Sequence, residues 1–325
     1  MPKNNDVNAD IAFRLNRAID FIDDNLESNI SVKQLSDIAC FSESHFHRLF
    51  QTLTGQSPGF FIKRRRMAKS LFILINRKSL AISTIAEMCG YSTISNFSKV
   101  FSLFYGVSPS KVKSSFNPHN IKQFNTTFHR DFGNTRLKLM INTESLSRYQ
   151  ANFRNILNDD VYDKLYSRRA FSTKRIDNLT YVYSRTFGME PGENIHINSK
   201  KHFSYYADIK KIYSDAMTIS VHLDATDYTP PQYYRHDAGI TVPENTDEYK
   251  HLNRKNISSG LYATISLELP LSQCHYIWVY LVAEWIPSTF YELDARPAFC
   301  QYRLIPDISP SEKLQITYYL PIHIY

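Results

Sequence analysis

The sequence predicts a multidomain protein: an all-α domain with two helix-turn-helix units, then an α+β domain built from two similar halves. A repeat of about fifty residues with helical periodicity occupies the first third of the 325-residue chain. Short β-like segments, interrupted by two amphipathic helical stretches, follow after about residue 175. We therefore expect the all-α domain over 8–115, a polar linker with a possible helix over 116–174, and the α+β domain over 175–325.

The repeat consists of two stretches that share a pattern of aromatic, glycine and serine-proline residues. FSESHFHRLFQTLTGQSP begins at Phe41, and YSTISNFSKVFSLFYGVSP begins at Tyr91. In each copy a helix with a phenylalanine stripe is expected to end at a glycine, Gly55 or Gly106, because glycine adopts the positive φ that ends a helix. A shorter amphipathic segment precedes each copy. A short helix, a tight turn and a second helix make a helix-turn-helix.

The segment from Pro58 to Asn76 is expected to form one long helix between the two units. Its apolar and basic residues alternate at helical spacing. About twenty helical residues span about 30 Å, close to the roughly 34 Å between successive major grooves on one face of B-DNA. Such a helix would let one chain set two recognition helices into adjacent grooves.

Positive charge is concentrated in the first domain. Residues 1–117 carry fifteen Lys+Arg against nine Asp+Glu, whereas the remainder carries 23 against 22. Within 44–113, eleven basic residues accompany a single acid, Glu87. A run of charge is ordinarily a solvated face, but seventy residues with one acid are typical of a surface that meets nucleic-acid phosphates. We expect roughly 6–10 phosphate contacts.

The repeat and its surroundings resemble the DNA-binding domain of AraC/XylS-family transcription regulators over residues 11–115. By that resemblance, the exposed faces of the two recognition helices read bases and the linker helix contacts phosphates. The DNA-contacting residues that this implies are Ser44, His47, Arg48, Gln51, Lys63, Arg64, Arg66, Thr93, Ser95, Asn96 and Lys99.

Two residues of this domain leave alternatives open. Arg65 is either a DNA contact or a partner in a structural ion pair. Cys40 stands where the family usually has glycine, the position of Gly90 in the second copy. A residue with a Cβ in that turn is expected to be strained or to shift the first recognition helix.

The second domain is expected to repeat the order strand, helix, strand, strand twice on one sheet. Over 175–325 it resembles the GyrI-like effector-binding domain, in DYTPPQYYRHDAGITVPEN from Asp227, SSGLYATI from Ser258 and WIPSTFYELDARPAFCQY from Trp285. The order of the two domains is similar to that of the right-origin-binding protein subgroup. The resemblance implies a cleft between the halves that binds a small hydrophobic or cationic effector.

Aromatic residues are the expected walls of that cleft, although each of them could instead be ordinary core. Many ligand-binding members place an acid in the last strand shortly before the proline. QITYY from Gln315 has none, so Glu284 or Glu292 would have to replace it. The expected effector-binding residues are Tyr183, Phe187, Tyr206, Tyr228, Trp278, Tyr280, Leu281, Glu284, Trp285, Phe290 and Tyr319.

We expect a bacterial, cytoplasmic transcription activator whose partners are double-stranded promoter DNA, RNA polymerase and a small-molecule effector. Two alternatives stay open for the second domain: a protein-docking module and a small-molecule hydrolase. No enzyme activity is expected, because the sequence has no nucleophile motif, metal-ligand spacing or phosphate-binding loop. No cofactor, metal or membrane contact is expected either. The four cysteines are scattered, and no apolar run is long enough to span a bilayer.

Overall fold

The computed structural model describes residues 9–115, 153–167, 170–188, 207–224, 229–246, 249, 252–270, 273–303 and 313–324. The chain divides into two compact units, one of Met1–Thr143 with Thr226–Tyr233 and one of Glu144–Ala225 with Tyr234–Tyr325. The first is helical and the second is strand-rich, which confirms the predicted fold class. In these described ranges, no helix has both the length and the apolar character needed to cross a bilayer.

The described part of the first unit contains the two predicted helix-turn-helix units, α2–α3 and α5–α6, joined by α4. Ser57 and Thr93 cap α4 and α6, each accepting a hydrogen bond from the main-chain N–H three residues later, at 3.3 and 3.2 Å. Gly55 and Gly106 end α3 and α6 in the left-handed conformation, with φ of 70° and 73°. The helices are α1 (Ala9–Asp24), α2 (Val32–Ile38), α3 (Glu43–Thr54), α4 (Pro58–Asn76), α5 (Ile82–Met88), α6 (Ile94–Tyr105) and α7 (Pro109–Ser115).

Both recognition helices pack on α4 through aromatic side chains. Phe61 of α4 meets Phe50 of α3 edge-on, with ring centroids 5.3 Å apart. Its neighbour Phe60 lies 6.2 Å from Phe104, near the end of α6. Since α6 thus reaches the start of α4, α4 is a scaffold that both recognition helices share. Helix α4 therefore does more than separate the two helix-turn-helix units by its length.

The two helix-turn-helix turns share one backbone pattern. The N–H of Phe41 donates to the carbonyl of Ser36 at 2.9 Å, and the N–H of Tyr91 donates to that of Ala86 at 3.0 Å. The residue before each aromatic is left-handed, with φ of 53° at Cys40 and 75° at its counterpart in the second turn. Cys40 therefore follows the glycine conformation despite its Cβ, so the turn is kept at the cost of strain.

Cys40→Gly is expected to raise the free energy of unfolding by about 1 kcal/mol. The left-handed region costs an L-residue about 1–2 kcal/mol, and the extra chain entropy of glycine offsets part of the gain. Chemical denaturation followed by circular dichroism measures the change. Cys40→Ala is the control, because alanine keeps the Cβ and the strain. Equal stability of the glycine and alanine variants would contradict the strained turn.

The second unit contains one large antiparallel sheet with short helices. Its elements are α8 (Phe153–Ile156), α9 (Asp159–Tyr166), β1 (Ser172–Ile176), β2 (Leu179–Phe187), α10 (Ala207–Ile212), β3 (Thr218–His222), β4 (Arg235–Val242), β5 (Asn253–Ile257), β6 (Gly260–Pro270), α11 (Cys274–Tyr280), β7 (Tyr291–Leu293), β8 (Ala298–Tyr302) and β9 (Lys313–Ile324). A π-helical turn (Leu281–Trp285) and a 3-10 turn (Ile286–Ser288) follow α11. The 3-10 turn Pro231–Tyr233, which precedes β4 along the chain, belongs to the first unit.

The strand order is β1-β6-β9-β8-β3-β4-β2-β5, with β7 paired to β9. One half runs β2-α10-β3-β4 along the chain and the other runs β6-α11-β8-β9. Each half has the same spatial order, β3-β4-β2 and β8-β9-β6, and the halves join where β3 pairs with β8. The predicted duplication of strand, helix, strand, strand on one sheet is therefore present.

Helices α8, α9 and α11 cover one face of this sheet. Phe153 and Leu165 of the first two helices share a buried core with Ile277 of α11 and Tyr318 of β9. Helices α8 and α9 lie in the segment 116–174, which was expected to be a polar linker with a possible helix. Their buried apolar residues instead make 153–167 part of the core of the second unit.

Candidate nucleic-acid interface and effector domain

The expected base-reading residues lie on the solvent face of both recognition helices. On α3 the opposite face carries Phe46 and Phe50, and on α6 it carries Phe97 and Phe101, all fully buried. A helix whose apolar stripe is buried and whose polar face is free can enter a major groove. The exposed residues are Ser44, His47, Arg48, Gln51, Thr93, Ser95, Asn96 and Lys99.

The linker helix differs from expectation. Lys63 is exposed, but Arg64 is only 2% exposed. The Nε of Arg64 donates to Oε1 of Gln56 at 2.9 Å, and its guanidinium lies 5.3 Å from the ring centre of Phe61. A buried guanidinium cannot reach a phosphate without leaving the core, so Arg64 is corrected from a DNA contact to a core residue.

The other basic residues of α4 also bind within the unit. Arg66 is half-buried and donates to two main-chain carbonyls, so its expected phosphate contact is replaced by an internal one. Arg65 forms an ion pair with Asp23 at 2.9 Å, which is one of the two alternatives left open for it. Of the eleven basic residues in 44–113, all described, the exposed ones are Arg48, Lys63, Lys99 and Lys111.

Arg48→Ala is expected to weaken DNA binding, whereas Arg64→Ala is expected to destabilise the fold. Arg48→Ala should weaken binding to the preferred site by about 1–3 kcal/mol and relax preference at one base pair, without changing the melting temperature. Arg64→Ala should lower the free energy of unfolding by about 1–3 kcal/mol, because Gln56 loses its buried partner. Fluorescence anisotropy with duplex DNA and calorimetry measure the two effects.

Lys63→Ala is the matched control on α4. It should weaken binding evenly across sequences and leave the melting temperature unchanged, because an exposed lysine contacts phosphate without reading bases. Behaviour of Arg64→Ala identical to that of Lys63→Ala would contradict the core role of Arg64.

Sequence reasoning missed the arginines that hold the two turns. The Nε of Arg14 on α1 donates to the carbonyl of Ala39 at 2.9 Å, and its guanidinium lies 4.0 Å from the ring centre of Phe41. Arg66 lies 5.8 Å from the ring centre of Tyr91, the equivalent aromatic of the second copy. The repeat itself holds the signal, since each aromatic has an arginine 27 or 25 residues earlier.

The second unit carries a cluster of rings on the sheet face opposite α8, α9 and α11. We call it the aromatic floor; its rings are buried, with Tyr319 the most exposed at 7%, and they are Tyr181, Tyr183, Tyr262, Phe299 and Tyr319. Phe299 and Tyr319 stack with centroids 4.4 Å apart and planes 8° apart. Burial raises the pKa of Tyr262 to about 12 and also raises the pKa of Tyr319. Both phenols therefore stay neutral at physiological pH.

The charges beside the aromatic floor compensate one another. Arg185 and Asp237 form a two-point ion pair at 2.7 and 2.8 Å, with both side chains fully buried. The hydroxyl of Tyr181 also donates to Asp237, at 3.2 Å. On the last strand, Thr317 shares a 2.8 Å hydrogen bond with Ser266. A cationic ligand would thus meet a carboxylate that is already neutralised.

The expected effector residues do not come together on one surface. Tyr183 and Tyr319 belong to the aromatic floor, whereas Trp278 stacks edge-on with Tyr318 at 5.1 Å on the helix-covered face. Since neighbouring strand residues point to opposite faces, the expectation that the tryptophan helix flanks the same pocket is wrong. The core on that helix-covered face also includes Tyr280, Leu281 and Trp285.

The remaining expected effector residues are scattered or outside the description. Phe187 ends β2, Glu284 lies on the π-helical turn, and Phe290 is 71% exposed. Glu292, the other acid considered, pairs with His323 at 2.8 Å. Tyr206 and Tyr228 lie outside the described residues. Across the described part of the chain, no group of three or more His, Cys, Asp or Glu is arranged to hold a metal.

Both domains match known families. A family described as a helix-turn-helix domain matches residues 35–115, and one described as a GyrI-like small molecule binding domain matches residues 194–323. The probable transcriptional regulator LumQ of Photobacterium leiognathi is 33% identical over 100 residues, which cover 30% of this chain and 40% of LumQ. The multiple antibiotic resistance protein MarA of Escherichia coli is 28% identical over 102 residues, covering 31% of this chain and 80% of MarA.

Solved structures are also similar to each part of the chain. The DNA-binding domain of AdpA in complex with a target DNA is 22% identical, with a TM-score of 0.30, covering 31% of this chain and 90% of that one. The EcmrR C-terminal domain is 12% identical, with a TM-score of 0.37, covering 48% of this chain and 98% of that one.

Proposed function

We propose that the chain regulates transcription by binding promoter DNA through α3 and α6, as its matches to a helix-turn-helix domain and a GyrI-like small molecule binding domain support. The observation that carries the proposal is the pair of recognition helices. Each buries an aromatic stripe and exposes a polar face with hydrogen-bonding side chains.

The exposed side chains suit base reading in the major groove. Arg48 can donate two hydrogen bonds to guanine, and Asn96 can exchange two with adenine. Ile94, half exposed at the start of α6, offers an apolar contact for a thymine methyl. Lys63 and Lys99 supply charge for phosphates, which positions the helices without specifying sequence.

DNA affinity is expected to fall with ionic strength, but less steeply than the count of basic residues suggests. With about four exposed cations releasing counterions, the slope of log affinity against log salt should be about −3.6. That amounts to a loss of about 10²-fold between roughly 50 and 200 mM salt. Anisotropy titrations at several salt concentrations measure the slope. A flat response would refute DNA binding by this face, and a slope near −9 would mean that the internal basic residues also reach phosphates.

We propose activation as the outcome and RNA polymerase as a further partner, as the resemblance to AraC/XylS regulators implies. Transcription in vitro with purified polymerase, on a promoter bearing a selected site, distinguishes activation from repression.

We propose that the second domain binds a small, flat, uncharged molecule over the aromatic floor. The family description supports a small molecule, and a lining rich in rings, of which Tyr319 is the most exposed, supports an aromatic one. The charges favour an uncharged ligand over a cation. Asp237 is paired with Arg185, and the last strand carries Thr317 and no acid before its proline. A cation would lose its hydration without gaining an unneutralised partner.

Acridine and its cationic analogue N-methylacridinium test this ligand class at a mildly alkaline pH. At a hundredfold excess over its Kd, acridine should stabilise the protein by about 2.7 kcal/mol, seen as a rise in melting temperature, while the cation should have little effect. Thr317→Glu should reverse the preference by placing a carboxylate on the last strand. Gln315→Glu, at an exposed position of the same strand, is the control and should not.

Two outcomes would count against this ligand class. Preference of the wild-type protein for the cation would contradict the charge argument. A melting temperature unmoved by either compound would favour the protein-docking alternative.

A further inference from the structure

Arg66 joins three parts of the DNA-binding domain at one point. It lies on α4, and its Nε donates to the carbonyl of Leu26 at 2.9 Å. Its Nη2 donates to the carbonyl of Ser28 at 2.6 Å. Both carbonyls belong to the loop between α1 and α2, which leads directly into the first helix-turn-helix unit. The planar guanidinium makes this two-point attachment in a fixed geometry.

The same guanidinium meets the turn of the second unit. A Cβ built on Gly90 would lie 2.7 Å from Nη2 of Arg66 and 2.5 Å from the carbonyl oxygen of Leu26. The ring of Tyr91 lies on the same guanidinium, 5.8 Å from its central carbon. The turn before α6 therefore packs directly on an arginine that is bonded to the loop leading into the first unit. Glycine is required here by close approach as well as by its positive φ.

Arg14 provides an internal comparison. It also bonds main-chain carbonyls and stacks on an aromatic, Phe41, but all of its contacts lie in α1 and the turn before α3. Arg14 thus attaches α1 to the turn of the first unit only, whereas Arg66 connects the loop that leads into the first unit with the turn of the second. The two arginines have similar chemistry and differ in what they connect.

We infer that Arg66 sets the relative orientation of the two helix-turn-helix units and thereby selects the spacing between the two half-sites on DNA. The inference rests on the proposed function, because it requires both recognition helices to bind one duplex. Two linked DNA-binding units gain affinity from binding at the same time only when their relative geometry matches that of the two half-sites. One base pair changes the rotation between half-sites by about 35°, since a turn holds about 10–10.5 base pairs. If the orientation of the two units is fixed, affinity should fall on a site with that extra rotation. If the orientation is loosened, affinity should fall much less.

The test uses the full chain and a site selected by it from random DNA, with one base pair inserted or deleted between the half-sites. Wild-type affinity should fall by about tenfold or more on either altered site. Arg66→Gln should reduce that penalty to about twofold, with a smaller loss on the original site. Arg66→Lys should behave like Arg66→Gln, because lysine keeps the charge but not the two-point fork.

Arg14→Gln is the matched control and should lower affinity by the same factor at every spacing. Melting temperatures are measured for all variants. If Arg66→Gln does not fold, Arg66→Lys is the test variant, because it removes the same two-point attachment and keeps the charge.

Three results would overturn the inference. One is a spacing penalty in Arg66→Gln equal to that of the wild type. Another is an Arg66→Lys variant that keeps the wild-type spacing dependence while Arg66→Gln loses it. That result would show that the charge of Arg66 is what matters, as for a phosphate contact. The third is a wild-type protein that selects no sequence, which would remove the proposed function as well.

Discussion

The packing of both recognition helices on one shared helix is the constraint on which the DNA-binding domain depends. Phe61 and Phe60, neighbours at the start of α4, contact Phe50 of α3 and Phe104 of α6. Further along, α4 also packs against α5 and α7. Because such aromatic contacts are short-ranged, they attach α3 and α6 to the same end of α4 and leave the orientation of the two units to further contacts such as those of Arg66. The exposed faces of the two recognition helices are therefore presented together.

Helical periodicity was enough to predict which residues face solvent on α3 and α6. A helix with a buried phenylalanine stripe leaves its other face free, so Arg48 and Asn96 are exposed as expected. Periodicity could not predict the fate of the arginines on α4, because their partners lie far along the chain or are main-chain carbonyls. Arg65 meets Asp23, and Arg66 meets the carbonyl of Leu26. The net charge of a segment consequently overstates the charge available to DNA.

In the second unit, the strands and their duplication could be predicted from alternation and turn residues, but the effector surface could not. Register decides that Tyr319 points to the aromatic floor while its neighbour Tyr318 points to the helices. The side of the sheet on which α11 packs is a tertiary choice that periodicity does not encode. Trp278 was therefore assigned to the wrong face. The absence of an acid from the last strand could be read directly from the sequence. It matters because Asp237, the carboxylate beside the aromatic floor, is already paired with Arg185.

Both recognition helices belong to one chain, so a single chain should read two adjacent segments of a duplex. Sedimentation of the protein with a labelled, selected duplex, combined with hydroxyl-radical footprinting of the same complex, tests this most directly. We expect a complex of one chain per duplex that protects two segments about one helical turn apart, on a site without two-fold symmetry. A complex with two chains on a palindrome, or a single protected segment per chain, would contradict it.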